Sequence, residues 1–323
     1  MEQLELNKFT RSDRKWAWTN RNLARAYDIR STMDELRRWW PMTKRQIFYR
    51  LISSDAVKQK CWHWAGRQVD IYKALGRTLK WMRIDDKLPW SAITDEHRVT
   101  TPKIGFTDVR EFVDSEMYNF LSGYGRCMAQ KQKNYIEVWI EKATLLHIIK
   151  PVVDSFCRRV VVCKGYNSIT FQAEFYNRAT EAIGMDQQPI VLYFGDWDPS
   201  GVNMIYAAMQ TITDELDLDM VRYIRAGINP EHFGMIQANP VPVKLSDTRS
   251  RRFIKQYVEI AYELDAFHPE QLQKLVRTSI EAFTDMSEYD ENAAKEELDI
   301  EVINELRDDV GEYIEDKVFN LGI

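Results

Sequence analysis

Pro189-Ile-Val-Leu-Tyr-Phe194, followed at once by Gly195-Asp-Trp-Asp-Pro-Ser-Gly201, is the stretch of sequence that decides the fold. Its first half is a short apolar run bounded by turn residues, which is typical of a strand buried on both faces. Its second half places Asp196 and Asp198 after that strand and ahead of a helix predicted over residues 201–216. A strand, an acidic turn and a helix in this order indicate a parallel α/β sheet.

The segments around this stretch repeat the same alternation. Strands are predicted at residues 135–140, 159–163 and 221–225, with helices between them, and further helices at residues 250–282 and 292–320. Alternating strands and helices favour a doubly wound parallel sheet, which binds ligands beyond the carboxyl ends of its strands. Because Glu141 directly follows the first strand, we expect Glu141, Asp196 and Asp198 to converge at one edge of the sheet.

Three converging carboxylates predict a metal site, because such a group repels itself unless a cation or a shared proton neutralises it. Oxygen ligands without a histidine pattern favour Mg²⁺, with Mn²⁺ as a substitute. Mg²⁺ bridges protein carboxylates to phosphate oxygens, as phosphodiester chemistry requires. Each acid alone has an ordinary alternative, since a strand-end Glu or a turn Asp most often is solvated or caps the next helix.

The region ahead of the sheet predicts a helical module. Residues 18–40 carry apolar side chains at spacings of three and four, and Pro41 ends that helix. Thr43-Lys-Arg-Gln46 matches a capping box that opens a second helix through about residue 53, and a third helix is predicted over residues 64–82. Two helices around a tight turn favour a helix-turn-helix, so we expect a winged-helix-like module.

Charge divides the chain more clearly than its formal net value of −5 suggests. Residues 1–110 hold 23 Lys and Arg against 13 Asp and Glu, which suits a phosphate backbone, although a solvated surface is the equal alternative. Residues 281–323 hold 15 acidic and 3 basic residues and are not expected to touch DNA. We predict a basic DNA-binding domain at 1–110, a connector at 111–134, and an α/β domain with a helical extension at 135–323.

Several of these motifs resemble those of one family. Ile140-Glu-Lys-Ala143, Lys164-Gly-Tyr166 and Asp196-Trp-Asp-Pro-Ser-Gly201 look like its V-E-K-x, K-G-Y and D-x-D-P-x-G motifs, and Glu263-Leu-Asp-Ala266 resembles a further segment. The family comprises the A subunit of type IIB topoisomerases (topoisomerase VI) and the related meiotic double-strand-break transesterase, which share a TOPRIM domain. The resemblance covers roughly residues 30–280 and implies that Glu141, Asp196 and Asp198 are Mg²⁺ ligands.

The nucleophile of that family lies in a K-R-x-x-Y-Y pattern, in which the second tyrosine attacks DNA. Lys44-Arg-Gln-Ile-Phe-Tyr49 is similar, with Phe48 in place of the first tyrosine. The resemblance implies that Tyr49 is the nucleophile and that Arg45 steadies a phosphate beside it. The helical wheel places Arg45 and Tyr49 apart from the apolar arc, so we expect Tyr49 to be exposed. A half-buried tyrosine with a satisfied hydroxyl group is the alternative.

Partners also follow from the resemblance. Family members act as homodimers that cut both strands of double-stranded DNA and leave 5′-phosphotyrosyl links. Neither a Walker A loop nor a G-x-G-x-x-G motif is present in the sequence, so ATP dependence would come from an ATPase partner subunit. The compact chain resembles stand-alone, A-subunit-like proteins of phages and plasmids.

Three functions stay open, in this order: a tyrosine-linked, topoisomerase-like transesterase, a TOPRIM nuclease that uses water, and a non-catalytic DNA-binding protein. With neither an apolar stretch of about 18 residues nor a secretory signal at its start, we expect no membrane association and a cytoplasmic, nucleoid-associated protein. Arg249, Arg251 and Arg252 are predicted to lie in a loop, as phosphate contacts or as solvated surface. Cys61, Cys127, Cys157 and Cys163 show no C-x-x-C pairing and are expected to be reduced thiols.

Overall fold

The computed structural model of the 323-residue chain describes residues 17–53, 62, 68–94, 105–163, 169–236 and 240–321. The chain divides into two compact units. The first unit consists of residues 1–96, 196–199 and 228–272, and the second of residues 97–195, 200–227 and 273–323. Both units are assembled from pieces that are separate in sequence. The domain boundaries proposed at residues 110 and 134 stay a prediction.

The described helices and strands alternate through the middle of the chain. The α-helices are α1 (Asn20–Glu35), α2 (Lys44–Ser53), α3 (Gln68–Ile84), α4 (Val109–Asn119), α5 (Leu146–Ser155), α6 (Ile169–Gly184), α7 (Pro199–Gln210), α8 (Ser250–Gln256), α9 (Pro269–Glu281) and α10 (Met286–Leu321). The strands are β1 (Asn134–Ile140), β2 (Arg159–Val162), β3 (Gln188–Phe194), β4 (Arg222–Gly227), β5 (Val241–Pro242) and β6 (Ile260–Ala261). Among the described residues, no helix is both long and apolar enough to span a membrane.

A four-stranded parallel sheet forms the centre of the second unit, with the strand order β2-β1-β3-β4. β1 and β3 pair along their whole length, from Asn134 opposite Gln188 to Ile140 opposite Phe194. The predicted α/β class with a parallel sheet is therefore confirmed. From β1 the chain continues to β2 at one edge of the sheet, and from β3 it continues to β4 at the other edge. Open α/β sheets bind ligands between two such strands, where the strand order reverses.

One face of this sheet is covered by α6 and α7. Trp139, Val191 and Tyr193 project from β1 and β3 into a cluster with Phe175 of α6 and Met204 of α7, and all five side chains are buried. The alternate residues of the same strands are also buried, as expected for strands covered on both faces. This burial explains why the strands appear in the sequence as continuous apolar runs.

A buried carboxylate interrupts the apolar surface of β1. Glu137 is 0% exposed and accepts hydrogen bonds from the Tyr135 hydroxyl (2.6 Å), the Trp139 indole (2.9 Å) and Nε of Arg178 (2.6 Å). Tyr223 of β4 also interacts electrostatically with Glu137, but its buried hydroxyl has no hydrogen-bond partner within the described part of the chain. The charge is tolerated because it is ion-paired and hydrogen-bonded.

The first unit contains the helices α1, α2 and α3, which contact one another. Ile29, Met33, Ile47 and Leu51 are completely buried between them. Within the described residues from 17 to 94, the β-structure is limited to one isolated bridge, Met42–Ile93. The winged-helix module therefore stays a prediction.

Within the second unit, Arg126 holds helix α10. The backbone N–H of Arg126 donates to Oε1 of Glu296 (2.7 Å), and its guanidinium contacts Asn292 (3.2 Å) and Asp299 (2.8 Å). These three positions lie on one face of a helix. From Met286 to Leu321 the acidic C-terminal segment is one continuous helix.

Candidate active site

Helix α2 carries both residues that the tyrosine motif identifies. The N–H of Gln46 donates to Oγ1 of Thr43 (3.3 Å), and the N–H of Thr43 donates to Oε1 of Gln46 (2.8 Å). These reciprocal hydrogen bonds confirm the predicted capping box and define where the helix begins. Arg45 lies in the first turn and Tyr49 lies one turn later, so their side chains share a face.

The predicted exposure of Tyr49 is wrong, because its side chain is only 7% exposed. Its ring packs edge-on against Phe48, with ring centroids 5.5 Å apart. Helix α2 contacts α1, α3 and the turn at residues 264–266, and every residue from 46 to 51 is buried. The spacing of apolar residues predicts an exposed face only for a helix that is covered on one side. Because distant segments cover α2 on several sides, that spacing did not predict the burial of Tyr49.

Arg45 is ion-paired with an acid far along the chain. Its Nε lies 3.0 Å from Oε2 of Glu263, and its Nη2 donates to Oε1 of the same carboxylate at 3.2 Å. The pair is bidentate, the geometry in which Arg–carboxylate contacts are most specific. Glu263 engages two of the five N–H groups of the guanidinium, and the Arg45 side chain is 49% exposed.

The charged groups that interact with Arg45 come from three segments of the first unit that are distant in sequence. Burial lowers the pKa of the guanidinium, but the acidic groups of Glu263, Asp265, Tyr49 and Asp196 raise it, and the net pKa lies above its ordinary value. These groups belong to α2, to residues 196–199 and to the turn after β6. The proposed nucleophile, its arginine and one proposed metal ligand are therefore neighbours.

Residues 196–199 are held against the segment that follows β6. Oδ1 of Asp196 accepts a hydrogen bond from the N–H of Leu264 (2.8 Å). Trp197 and Tyr262 exchange backbone hydrogen bonds of 2.8 and 3.0 Å as an antiparallel bridge. Asp196 is 5% exposed, whereas Asp198 is partly exposed. The D-x-D motif thus has one buried, anchored aspartate and one that solvent reaches.

The indole of Trp197, between the two aspartates, packs in an aromatic cluster. Its ring centroid lies 5.0 Å from that of Tyr257 and 5.7 Å from those of Phe233 and Phe253. All four residues belong to the first unit. This packing fixes the backbone that positions Asp196 and Asp198.

As the sequence predicted, Glu141 directly follows β1. It lies in the second unit. Its N–H donates to the carbonyl oxygen of Phe194 (3.0 Å), and its Oε2 accepts from the Tyr193 hydroxyl (3.4 Å). A Cβ added to Gly195 would overlap that hydroxyl, so a side chain cannot be accommodated there without displacing Tyr193. Glu141 is half-buried at the carboxyl end of the sheet.

No group of three or more His, Cys, Asp or Glu side chains that could hold a metal ion is found within the described ranges. The chemistry of the donors nevertheless fits Mg²⁺, which proteins usually bind through one or two carboxylates, with waters and substrate phosphates completing the shell. Asp196 and Asp198 supply two such carboxylates. The three-carboxylate site with Glu141 stays a prediction.

Two acids near Arg45 were not assigned a role from the sequence. Glu263 and Asp265 lie in the family-like segment Glu263–Ala266, which was the only signal, because nothing local shows that this segment packs against α2. The motif Lys164–Tyr166 lies outside the described residues.

The basic group near residue 250 also differs from its prediction. Arg251 and Arg252 are exposed on helix α8, which lies within the helical stretch predicted at residues 250–282, so the separate assignment of both arginines to a loop is wrong. Arg249 precedes the helix and is ion-paired with Asp247 at 2.8 Å. Two of the three arginines are thus presented together on one helical turn of the first unit.

No protein-family model matches the chain, and no curated protein matches it.

Proposed function

We propose that the chain is a metal-dependent DNA-cleaving protein in which Tyr49 attacks a phosphodiester by transesterification. The observation that carries the proposal is a chain of contacts in the first unit: Arg45, one turn before Tyr49, is ion-paired with Glu263, and the N–H of the next residue, Leu264, donates to Asp196. Tyr49, Arg45 and Asp196 come from two separate sequence motifs, and both motifs resemble those of type IIB topoisomerase A subunits. Packing alone does not require an arginine, a tyrosine and a strand-end aspartate to be neighbours.

The chemistry assigned to α2 needs a nucleophile and a cation. A phenol is a weak nucleophile at neutral pH unless a cation or a base favours its ionised form. Arg45 supplies a positive charge beside Tyr49 and still has N–H groups that can bind a phosphate oxygen. The phenolic oxygen forms a bond to phosphorus, the bond to the 3′ oxygen breaks, and that oxygen takes up a proton.

Glu263 is assigned a positioning role. Its bidentate ion pair with Arg45 limits the directions in which the guanidinium can point. Because Arg45 has more N–H groups than one carboxylate engages, a phosphate can bind without displacing Glu263.

A divalent cation would be held by Asp196 and Asp198, which both belong to the first unit. Such an ion neutralises charge on the phosphate oxygens and on the leaving oxygen. Asp198 is the accessible member of the D-x-D pair, whereas Asp196 is anchored to the backbone of Leu264.

DNA binding in the same unit is supported by Arg251 and Arg252. Both are exposed on α8, which belongs to the first unit together with α2 and the D-x-D segment. Arginines in this setting bind backbone phosphates and make affinity dependent on salt.

The burial of Tyr49 favours a second candidate, a metal nuclease that uses water as its nucleophile. A hydroxyl on a side chain that is 7% exposed must become accessible before it can reach a phosphate. Water needs no such rearrangement, and Asp198 is already accessible. Both candidates use the same acids but differ in their dependence on Tyr49.

The deciding experiment incubates the wild type and three variants with labelled supercoiled plasmid and Mg²⁺, followed by denaturation with detergent. The variants are Tyr49→Phe, Asp198→Asn and, as a matched control, Tyr27→Phe, which removes the hydroxyl of an exposed tyrosine on α1. We expect protein-linked linear DNA with the wild type and Tyr27→Phe, and none with the other two, while DNA binding by Tyr49→Phe is retained.

A covalent adduct in Tyr49→Phe would refute the assignment of Tyr49. Cleavage without any adduct, lost in Asp198→Asn but kept in Tyr49→Phe, would replace the proposal by the water-using nuclease. Tight binding without cleavage in Mg²⁺ or Mn²⁺ would leave a DNA-binding protein without catalysis. Far-ultraviolet circular dichroism of each variant shows whether the fold is preserved.

A further inference from the structure

Two thiols from separate segments lie together on the surface of the second unit. Cys127 precedes β1, Cys157 follows α5, and both are exposed. The Cys157 thiol donates to the carbonyl oxygen of Arg126, the neighbour of Cys127, with Sγ 3.4 Å from the oxygen. The Cys127 side chain also interacts electrostatically with the Cys157 thiol. Two accessible thiols on segments that lie side by side are an arrangement from which a disulfide forms.

The backbone at Cys157 is unusual for a residue with a side chain. Its φ is +50°, in the left-handed region that glycine normally occupies after a helix. The N–H of Cys157 donates to the carbonyl of Asp154 (2.8 Å), and that of Arg158 to the carbonyl of Val153 (3.1 Å), which is the Schellman pattern. A residue with a Cβ is less favourable in this conformation than glycine.

A buried cation lies next to both thiols. Arg158 is 8% exposed, and its charge interacts with Cys127 and Cys157. Its Nη1 donates to the carbonyl of Asn134 (3.4 Å), but its Nε and Nη2 are buried without a hydrogen-bond partner among the described residues. The thiolate is the reactive form of cysteine.

We propose that Cys127 and Cys157 form a site of reversible oxidation, at which hydrogen peroxide produces an intramolecular disulfide. The Cys127 thiolate attacks peroxide, so an S–O bond forms, the O–O bond breaks, and the departing hydroxide becomes water. The Cys157 sulfur then displaces hydroxide from the sulfenic acid, and its proton completes a second water. Two thiols lose two electrons and two protons, and one peroxide is reduced to two waters.

The order of the two sulfurs follows from their surroundings. Desolvation raises the pKa of the Cys157 thiol, which disfavours its thiolate and suits the second, resolving role. The bond would join the end of α5 to the segment in which Arg126 holds α10. Oxidation would therefore tie three elements of the second unit together. The proposal is independent of the DNA chemistry assigned to the first unit.

The test uses the full-length chain with Cys61→Ser, compared with the same chain carrying Cys127→Ser, Cys157→Ser or Cys163→Ser. Each reduced protein is titrated with hydrogen peroxide, digested without reductant and analysed by mass spectrometry. Cys163→Ser is the matched control, since Cys163 is completely buried in the same unit. Dimedone traps sulfenic acids, and dithiothreitol tests whether the oxidation is reversible.

The parent chain and Cys163→Ser should lose two hydrogen atoms and give one linked peptide that joins residues 127 and 157. Cys157→Ser should instead accumulate a dimedone adduct on Cys127, and the disulfide should raise the midpoint of thermal unfolding. The proposal is overturned if the parent gives no such peptide, if it links Cys163 instead, or if only intermolecular disulfides form.

Discussion

At the scale of single residues, two tyrosines near the Glu137 carboxylate have opposite hydrogen-bonding states. Tyr135 donates a hydrogen bond of 2.6 Å to Glu137, whereas the buried Tyr223 hydroxyl has no partner in the described chain. Desolvation is the first cause that raises the pKa of both phenols, and the charge of Glu137 is the second. Ionisation of either group would therefore weaken the sheet.

We predict that Tyr223→Phe raises the free energy of unfolding by about 1 kcal/mol, because it removes a buried polar group that is not hydrogen-bonded. Tyr135→Phe should lower it by about 1 kcal/mol, because it removes one hydrogen bond to a buried charge. Urea denaturation at neutral pH, followed by circular dichroism, measures both. A loss of stability in Tyr223→Phe would contradict the unsatisfied hydroxyl.

The pH dependence of the free energy of unfolding tests the interaction between Tyr135 and Glu137 in a second way. The pKa of Tyr135 is raised from 10 to about 12, so between these values the folded chain keeps a proton that the unfolded chain has lost. Its contribution to stability is complete below pH 10 and is lost as the pH rises through 12. Tyr135→Phe should therefore lose less stability than the wild type over this interval.

At the scale of elements, the capping box determines how α2 presents Arg45 and Tyr49. Thr43 is buried, and its side chain satisfies the N–H of Gln46. We predict that Thr43→Ala lowers the free energy of unfolding by about 1 kcal/mol, whereas Thr43→Ser, which keeps the hydroxyl, lowers it by less. Thermal denaturation of the two variants compares them directly. Equal losses in both would mean that the methyl group, not the cap, stabilises the helix.

The central strands β1 and β3 could be predicted because burial on both faces makes each a mainly apolar run of seven residues, whereas the edge strands β2 and β4 are only partly buried and contain arginines. β5 and β6 were missed, since two residues carry no periodicity. The exposure of Tyr49 was mispredicted for a related reason. The spacing of apolar residues predicts one buried face of a helix. The turn at residues 264–266 also contacts α2, and the spacing did not predict this second contact.

The proposed site was only partly visible in the sequence. Motifs identified Tyr49, Arg45, Asp196 and Asp198 individually, because each stands beside a recognisable strand or helix signal. The ion pair between Arg45 and Glu263 spans 218 residues, and no local pattern encodes it. Long-range pairing depends on how the elements pack, which one sequence does not specify.

At the scale of the whole molecule, the first unit is built from three separate stretches of chain. The Arg50 guanidinium, buried on α2, donates to the carbonyl of Ala266 (2.5 Å), so the N-terminal helices depend on residues beyond 227. We predict that a fragment of residues 1–134 does not form a native-like fold. Its proton NMR spectrum should lack dispersion, and its thermal unfolding should show no cooperative transition.

The control is the full-length chain under the same conditions, which should unfold cooperatively. A well-dispersed spectrum from the fragment would mean that α1, α2 and α3 fold without residues 228–272. A peptide of residues 228–272 can then be added to the fragment. If α1, α2 and α3 need these residues to fold, binding of the peptide should restore the dispersion of the NMR spectrum.

Because 218 residues separate Arg45 from Glu263, the ribosome makes the two partners of this ion pair at different times. At about 5–20 residues per second, roughly 10–45 s pass on the ribosome between the appearance of α2 and that of its acidic partner. During this interval α2 exists without the segment that covers it and restrains its arginine. A chain whose translation has not yet reached Glu263 therefore cannot assemble the proposed DNA-cleaving centre. Cleavage becomes possible only when most of the polypeptide has been made.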